Sequence, residues 1–362
     1  MTTVARFEID HVRYLDAEGA PTQPLPAFAQ DTEALVALYR AMMTTRAFDA
    51  KAVALQRTGK LGTFASSVGQ EAIGVGVASA MRPEDALFPS YRDHAAQLVR
   101  GVTMTESLLY WGGDERGSNF SVARHDFPNC VPIGTQVCHA AGAAYAFQFH
   151  GEPRVAVAIV GDGGTSKGDL YEGMNMAGVW RAPLVIVVNN NQWAISVPRE
   201  SQTAAQTLAQ KAIAAGIEGV QVDGNDVIAV HEVARAALER ARRGDGPTLI
   251  EALSYRLGDH TTADDATRYR DPEVVAKQWL NEPIVRMRKY LTRIGAWDKA
   301  REEALGKTCQ AQVEAAVQAY FSIAPPGTSA MFDHLYATLP RALEAQLASA
   351  LHFASEGEDR HG

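Results

Sequence analysis

The chain is poor in cysteine: 362 residues contain three, Cys130, Cys138 and Cys309, with no CxxC spacing among them. That excludes a disulfide framework and a cysteine-rich zinc site, and fits a reducing compartment. Positive charge is also in short supply, since 34 Lys and Arg stand against 42 Asp and Glu for a formal net charge of -8. A nucleic-acid partner is therefore not expected, because such proteins neutralise phosphates with a basic surface. The apolar run Val155 to Val160 is too short to span a bilayer. The N-terminal MTTVARFEIDHVRYLD mixes acids and bases and lacks the apolar stretch of a secretory signal. A cytoplasmic protein without a membrane partner is the expectation. Internal repeats and low-complexity segments are missing, and so are both common nucleotide fingerprints. In GDGGTSKG, Lys167 precedes Gly168 rather than following it as in a P-loop, and the third Rossmann glycine is absent.

What the chain does have is one organising stretch, Val155 to Ser196, reading VAVAIVGDGGTSKGDLYEGMNMAGVWRAPLVIVVNNNQWAIS. Its first apolar run suits a strand buried on both faces of a parallel sheet. A Gly-Asp-Gly-Gly turn stops that run. Leu170, Met174, Ala177 and Val179 then recur near helical spacing, and Pro183 precedes a second apolar run, Leu184 to Val188. A strand, helix, strand unit brings both strand C-termini to the same edge, where open α/β sheets bind ligands. Asp162 and Asn191 are thereby expected to arrive together. A carboxylate and an amide oxygen beside glycine-bounded backbone are hard ligands of the kind Mg²⁺ or Ca²⁺ prefers, and Mg²⁺ commonly completes its shell with phosphate oxygens. The amides of Gly163 and Gly164 can approach an anion closely, with the positive end of the following helix behind them. A GDG alone is an ordinary turn; the asparagine run after the second strand is what makes this one a candidate diphosphate and metal site.

The GDG turn, the helix and NNNQWAIS together resemble the thiamine diphosphate signature, specifically that of the α subunit of heterotetrameric 2-oxo acid dehydrogenase E1 components. GQEA at Gly69 to Ala72, SYRDH at Ser90 to His94, PIGTQ at Pro132 to Gln136 and YRLGDHTTADD at Tyr255 to Asp265 resemble further segments of that family, in its order. The resemblance runs from about Leu35 to the C-terminus. It implies the thiamine diphosphate-binding α/β fold and an α2β2 assembly in which a β-subunit Glu activates the aminopyrimidine ring. Asp162, Asn191 and the carbonyl of Trp193 are implied as Mg²⁺ ligands. Gly163, Gly164, Tyr91, Arg92 and Arg256 are implied around the diphosphate, and the backbone of Val131 and Ile133 near the aminopyrimidine. Phe64, Ala65 and Ser66 fall in the family's substrate loop. His260 stands at the lid position, where it would serve acyl transfer to the lipoyl domain of E2. The run GDGGTSKGDLYEG resembles pyruvate dehydrogenase subunits and NCVPIGTQV is also close to branched-chain ones; the leaning is to pyruvate. Acetoin cleavage on the same assembly is the runner-up activity. A non-catalytic scaffold is disfavoured by the presence of Tyr91, Arg92, Arg256 and His260.

The rest of the chain gives a doubly wound parallel sheet with flanking helices in three parts. Residues 1–30, with clustered prolines, read as an extended arm. Residues 31–271 read as the α/β domain, opening with an Asp31-capped helix and including helices at Gln70 to Ala80, after Gly134, at Gln206 to Gly216 and at Asp226 to Arg243. Residues 272–362 read as supporting helices, with a break near Ala324 to Thr328 and fraying from Glu356 onward. The polar stretch Gly258 to Asp271 reads as either a disordered loop or a functional lid, and the lid reading places His260 beside the cofactor.

Overall fold

A computed structural model describes residues 1–358. Its strands are β1 (His11–Val12), β2 (Ala86–Phe88), β3 (Ala156–Gly161), β4 (Leu184–Asn190), β5 (Trp193–Ala194), β6 (Val197–Pro198), β7 (Glu218–Asp223) and β8 (Thr248–Leu253). Six of them build one sheet in the order β1-β7-β8-β4-β3-β2, with every neighbouring pair parallel. This is the expected doubly wound α/β architecture. β5 and β6 form a separate antiparallel hairpin.

The continuous apolar runs of β3 and β4 follow from burial on both faces. Val157, Ile159, Val185 and Val187 pack on one side with Ile73 and Val77 of the helix Glu71–Ala80 and with Val230 of the helix Val227–Arg242. Ala158, Val160, Ile186 and Val188 pack on the other, with Ala140 of the helix Thr135–Phe149 and Leu170 and Met174 of the helix Gly168–Trp180. Alternate side chains point to opposite faces, so an apolar residue is needed at every position. Because β3, β4 and β8 run the same way, Gly161, Asn190 and Leu253 all end at one edge.

Two expectations need correction. The arm at 1–30 is not merely extended: β1 joins the sheet edge beside β7, and Leu15 is 1% exposed. Asp226 explains the docking. One carboxylate oxygen caps its own helix at Ile228 and Ala229, while the other accepts the Tyr14 and Leu15 amides at 2.8 and 2.6 Å. Second, only Lys211–Ala214 is helical within 206–216. There the buried carboxylate of Glu251 accepts the amides of Leu208 and Ala209 at 2.9 and 3.0 Å, giving those donors a tertiary partner in place of a helical one.

The chain divides into the compact units Met1–Val317 and Gln318–Gly362. Residues 272–317 belong to the first unit, where buried polar contacts tie them in. Arg46 of the long helix Thr32–Arg57 joins both Glu71 and Glu282, and the Tyr39 hydroxyl donates to Glu302 at 2.8 Å. The second unit contains the helices Ala330–Asp333 and Arg341–Glu358. Of the fraying expected over Glu356 to Gly362, residues 356–358 are helical instead and the rest lies outside the described residues. Among those residues no helix is long and apolar enough to cross a membrane.

Candidate active site

A cavity of about 340 Å³ opens at the C-terminal ends of β3 and β4. Asp162, Gly163, Gly164, Asn191, Trp193, Tyr91, Arg92, Ile133 and His260 all line it. They come from five separate segments, which the parallel sheet delivers to one edge.

At one end stand the candidate metal ligands. Asp162 follows β3 directly and is 1% exposed; burial pushes its carboxyl above the usual range, opposed by an amide hydrogen bond from Gln202 at 2.7 Å. Asn191 follows β4, where the Trp193 amide donates to its Oδ1 at 3.2 Å. Its backbone is pinned from β8, since the Arg256 amide donates to the Asn191 carbonyl at 3.1 Å. Among the described residues no three His, Cys, Asp or Glu gather into a metal cluster. A cation at this edge would therefore need the mixed donor set of one carboxylate, one amide oxygen and one carbonyl, with remaining oxygens from a ligand. The glycines are sterically required: a Cβ on Gly163 would lie 2.6 Å from that of Ala194, and one on Gly164 2.4 Å from a Val160 methyl.

At the other end Arg92 acts as a clamp. Its guanidinium donates to the Ser66 carbonyl, to the His260 carbonyl at 2.8 Å and to His260 Nδ1 at 3.1 Å. An arginine only donates, so Nδ1 is the acceptor and the neutral ring carries its proton on Nε2. The lid is held further by the His260 amide to Asp264 at 2.9 Å, and Tyr91 meets the imidazole edge-on at 6.2 Å.

Arg256 is placed differently from the expectation. It is 1% exposed and does not line the cavity; it donates to the Ile195 carbonyl and the Tyr269 hydroxyl at 2.7 and 2.8 Å, and more weakly to the Trp193 carbonyl at 3.4 Å. Gln192 and Ile195 both have positive φ, 72° and 56°. That conformation is costly for a β-branched residue, and Arg256 holds it from below. Phe64 and Ala65 are also set back, at 0% exposure, because Phe64 stacks on His94 at 4.9 Å and the Ala65 carbonyl bonds that ring. Ser66 reaches the site only through its carbonyl on Arg92. Val131 is exposed and lies outside the lining, whereas Ile133 is part of it.

Gln70, Gln136 and Lys167 line the cavity as well, and Gln202 reaches Asp162. Of these, Gln70 and Gln136 fall inside the quoted GQEA and PIGTQ segments, but no spacing rule separates them from core amides. Lys167 lies in the GDGGTSKG turn, and nothing local marks Gln202.

The clamp has a pH consequence. Burial first, then Arg92 and Arg256, lower the His260 pKa from 6.5 to about 4. Between those values the unfolded chain binds a proton that the folded one refuses, so stability falls as pH drops from about 7 to about 4. Thermal melting across that range should show a smaller loss in His260→Gln than in the parent; equal slopes would contradict it.

Comparison with known proteins gives the context. Residues 39–324 match the family model described as "Dehydrogenase E1 component". The chain is 43% identical over 348 residues to the 3-methyl-2-oxobutanoate dehydrogenase subunit alpha of Mycobacterium tuberculosis, covering 94% of this chain and 93% of that one. It is 39% identical over 345 residues to the pyruvate dehydrogenase E1 component subunit alpha of Staphylococcus aureus, covering 95% and 93%. With the match spanning most of the sheet and every segment of the cavity, the chain belongs to the dehydrogenase E1 component family.

Proposed function

We propose that this chain is the α subunit of a 2-oxo acid dehydrogenase E1 component. With a β subunit it would decarboxylate a 2-oxo acid using thiamine diphosphate and Mg²⁺, then acylate the lipoyl domain of an E2 partner. The observation that carries this reading is the convergence of Asp162, Asn191, the two-glycine turn, Tyr91, Arg92 and His260 around one cavity. The donors fit the group. A buried carboxylate without a cationic partner, close-packed glycine backbone and a buried amide nitrogen of Gln70 lacking any partner all suit a metal-bound diphosphate.

Asp162, Asn191 and the Trp193 carbonyl would hold the metal; Gly163, Gly164, Tyr91 and Arg92 would face the diphosphate, with the charge of Arg256 beneath. When bound, thiamine diphosphate supplies the carbanion chemistry of decarboxylation that side chains lack. The protein's part is binding, orientation and exclusion of water. His260, with its proton fixed on Nε2 by Arg92, is placed to donate a hydrogen bond from Nε2 during acyl transfer. The aminopyrimidine end, including the activating Glu, would come from the β subunit.

Both substrates stand in the names of relatives, 3-methyl-2-oxobutanoate at 43% identity and pyruvate at 39%. The α chain alone should neither bind thiamine diphosphate tightly nor turn over either acid, and adding β should restore both with a preference for one. Decarboxylation is read with an artificial electron acceptor. Steady turnover by pure α chain would remove the interchain model.

A further inference from the structure

The hydrogen-bond logic around Asn191 leads to a residue with no role assigned so far. A backbone N–H can only donate, so the Trp193 amide at 3.2 Å identifies the oxygen of the Asn191 side chain. The Asn191 nitrogen must then face Gln70, which accepts from it through Oε1 at 2.9 Å. By the same rule the Gln70 nitrogen is what remains. It belongs to a residue 3% exposed, it has no hydrogen-bond partner among the described residues, and Gln70 lines the cavity together with Asn191 and Arg92. A buried donor left unpaired costs about 1–3 kcal/mol. Such groups persist where a ligand completes them.

We propose that Gln70 is a two-sided residue of the site. Its oxygen keeps Asn191 turned so that Oδ1 is available to the cation, and its nitrogen donates to an oxygen of the anionic group bound beside that cation. This rests on the functional reading above. Gln70 is well placed for both tasks because it sits immediately before the helix Glu71–Ala80, whose eight residues from Glu71 to Ala78 are buried. The neighbouring Glu71 is bonded to the Gly69 amide at 3.0 Å and to Arg46. The backbone carrying Gln70 is therefore anchored on both sides.

The two halves separate by substitution. Gln70→Glu is close in size, keeps an acceptor for Asn191 and removes the donor. Gln70→Leu removes both. In the reconstituted α and β enzyme, Mn²⁺ alone is titrated by electron paramagnetic resonance and thiamine diphosphate by calorimetry at saturating Mg²⁺. Gln70→Glu should keep or raise Mn²⁺ affinity while weakening thiamine diphosphate at least tenfold. Gln70→Leu should weaken Mn²⁺ as well, by roughly 10- to 100-fold, the range for groups that orient a metal ligand. Unchanged cofactor affinity in Gln70→Glu would overturn the donor role, and unchanged Mn²⁺ affinity in Gln70→Leu would overturn the orienting role. Should Gln70→Leu not fold, the divergence of the two affinities in Gln70→Glu decides alone, and a parallel fall in both overturns the proposal. Parent enzyme that binds no thiamine diphosphate would instead defeat the functional reading itself.

Discussion

Asp162→Ala is expected to abolish Mg²⁺-dependent binding of thiamine diphosphate in the reconstituted enzyme while leaving the cofactor-free protein folded. Asp162 is the single acidic group in the cavity lining, so its loss leaves a cation with neutral oxygens only. Orienting groups alone cost 10- to 100-fold in metal affinity, and removing a direct ligand should reach at least about 100-fold. Cofactor-free stability should hardly suffer. The carboxylate is almost fully buried and its pKa is raised by that burial, so the site already disfavours the charge. Its backbone carbonyl still accepts from Thr165 at 2.7 Å in the variant. The contrast is measurable by melting: at a hundredfold excess over Kd, ligand binding stabilises a protein by about 2.7 kcal/mol. The parent should show that rise and Asp162→Ala should not. A full cofactor-induced rise in the variant would rule out Asp162 as a metal ligand.

Arg92→Met should release the lid. One guanidinium bridges the Ser66 carbonyl on one loop to the carbonyl and ring of His260 on another, at 7% exposure. Methionine preserves much of the length and none of the donors, stranding carbonyls at a cost of about 1–3 kcal/mol each. Beyond the clamp, the segment between Gly258 and Asp271 is held by the Thr262 amide to Phe64, the Phe64 amide back to the Thr262 hydroxyl, and Tyr269, whose hydroxyl accepts from Arg256 at 2.8 Å. Trypsin cleavage at the exposed Arg268 should accelerate by an order of magnitude or more, as a local opening equilibrium shifts by that much free energy. Arg92→Lys should not rescue it, because one ammonium cannot reproduce a planar fork over three acceptors. If the cleavage rate stayed at the parent value, the clamp would be dispensable for lid order.

The two predictions differ in how readable their residues are from sequence. Asp162 and Asn191 sit directly after apolar runs that can only be central strands, and parallel pairing then fixes their proximity. Tyr91, Arg92 and His260 depend on loops, and the family resemblance supplied them. What the pattern left out is held by long-range side-chain contacts. Gln70 and Gln202 reach Asn191 and Asp162, 121 and 40 positions away, and no spacing rule marks those amides. Arg256 was placed around the diphosphate by the family resemblance alone. Its actual acceptors are carbonyls of a hairpin whose left-handed residues, Gln192 and Ile195, carry no glycine signal. The arm and the helices past residue 271 were separated from the core by composition, yet Asp226 and Glu282 tie them back through bonds that composition does not contain.

The pairing of β1 with β7 sets the order in which the molecule can assemble as it is made. His11 lies opposite Gln221, and the Tyr14 and Leu15 amides wait for Asp226. These residues leave the ribosome well before they can find their places, since their acceptors emerge more than 200 residues later. The central β3 and β4 need only the short helix between them. β8 must then enter beside β4 before β7 has a neighbour and β1 a seat. Contacts so distant along the chain are slow to close, and until they do the new polypeptide exposes Leu15 and the open side of β7. A nascent E1 chain is thus most in need of protection around β1 and β7, long after β1 was synthesised.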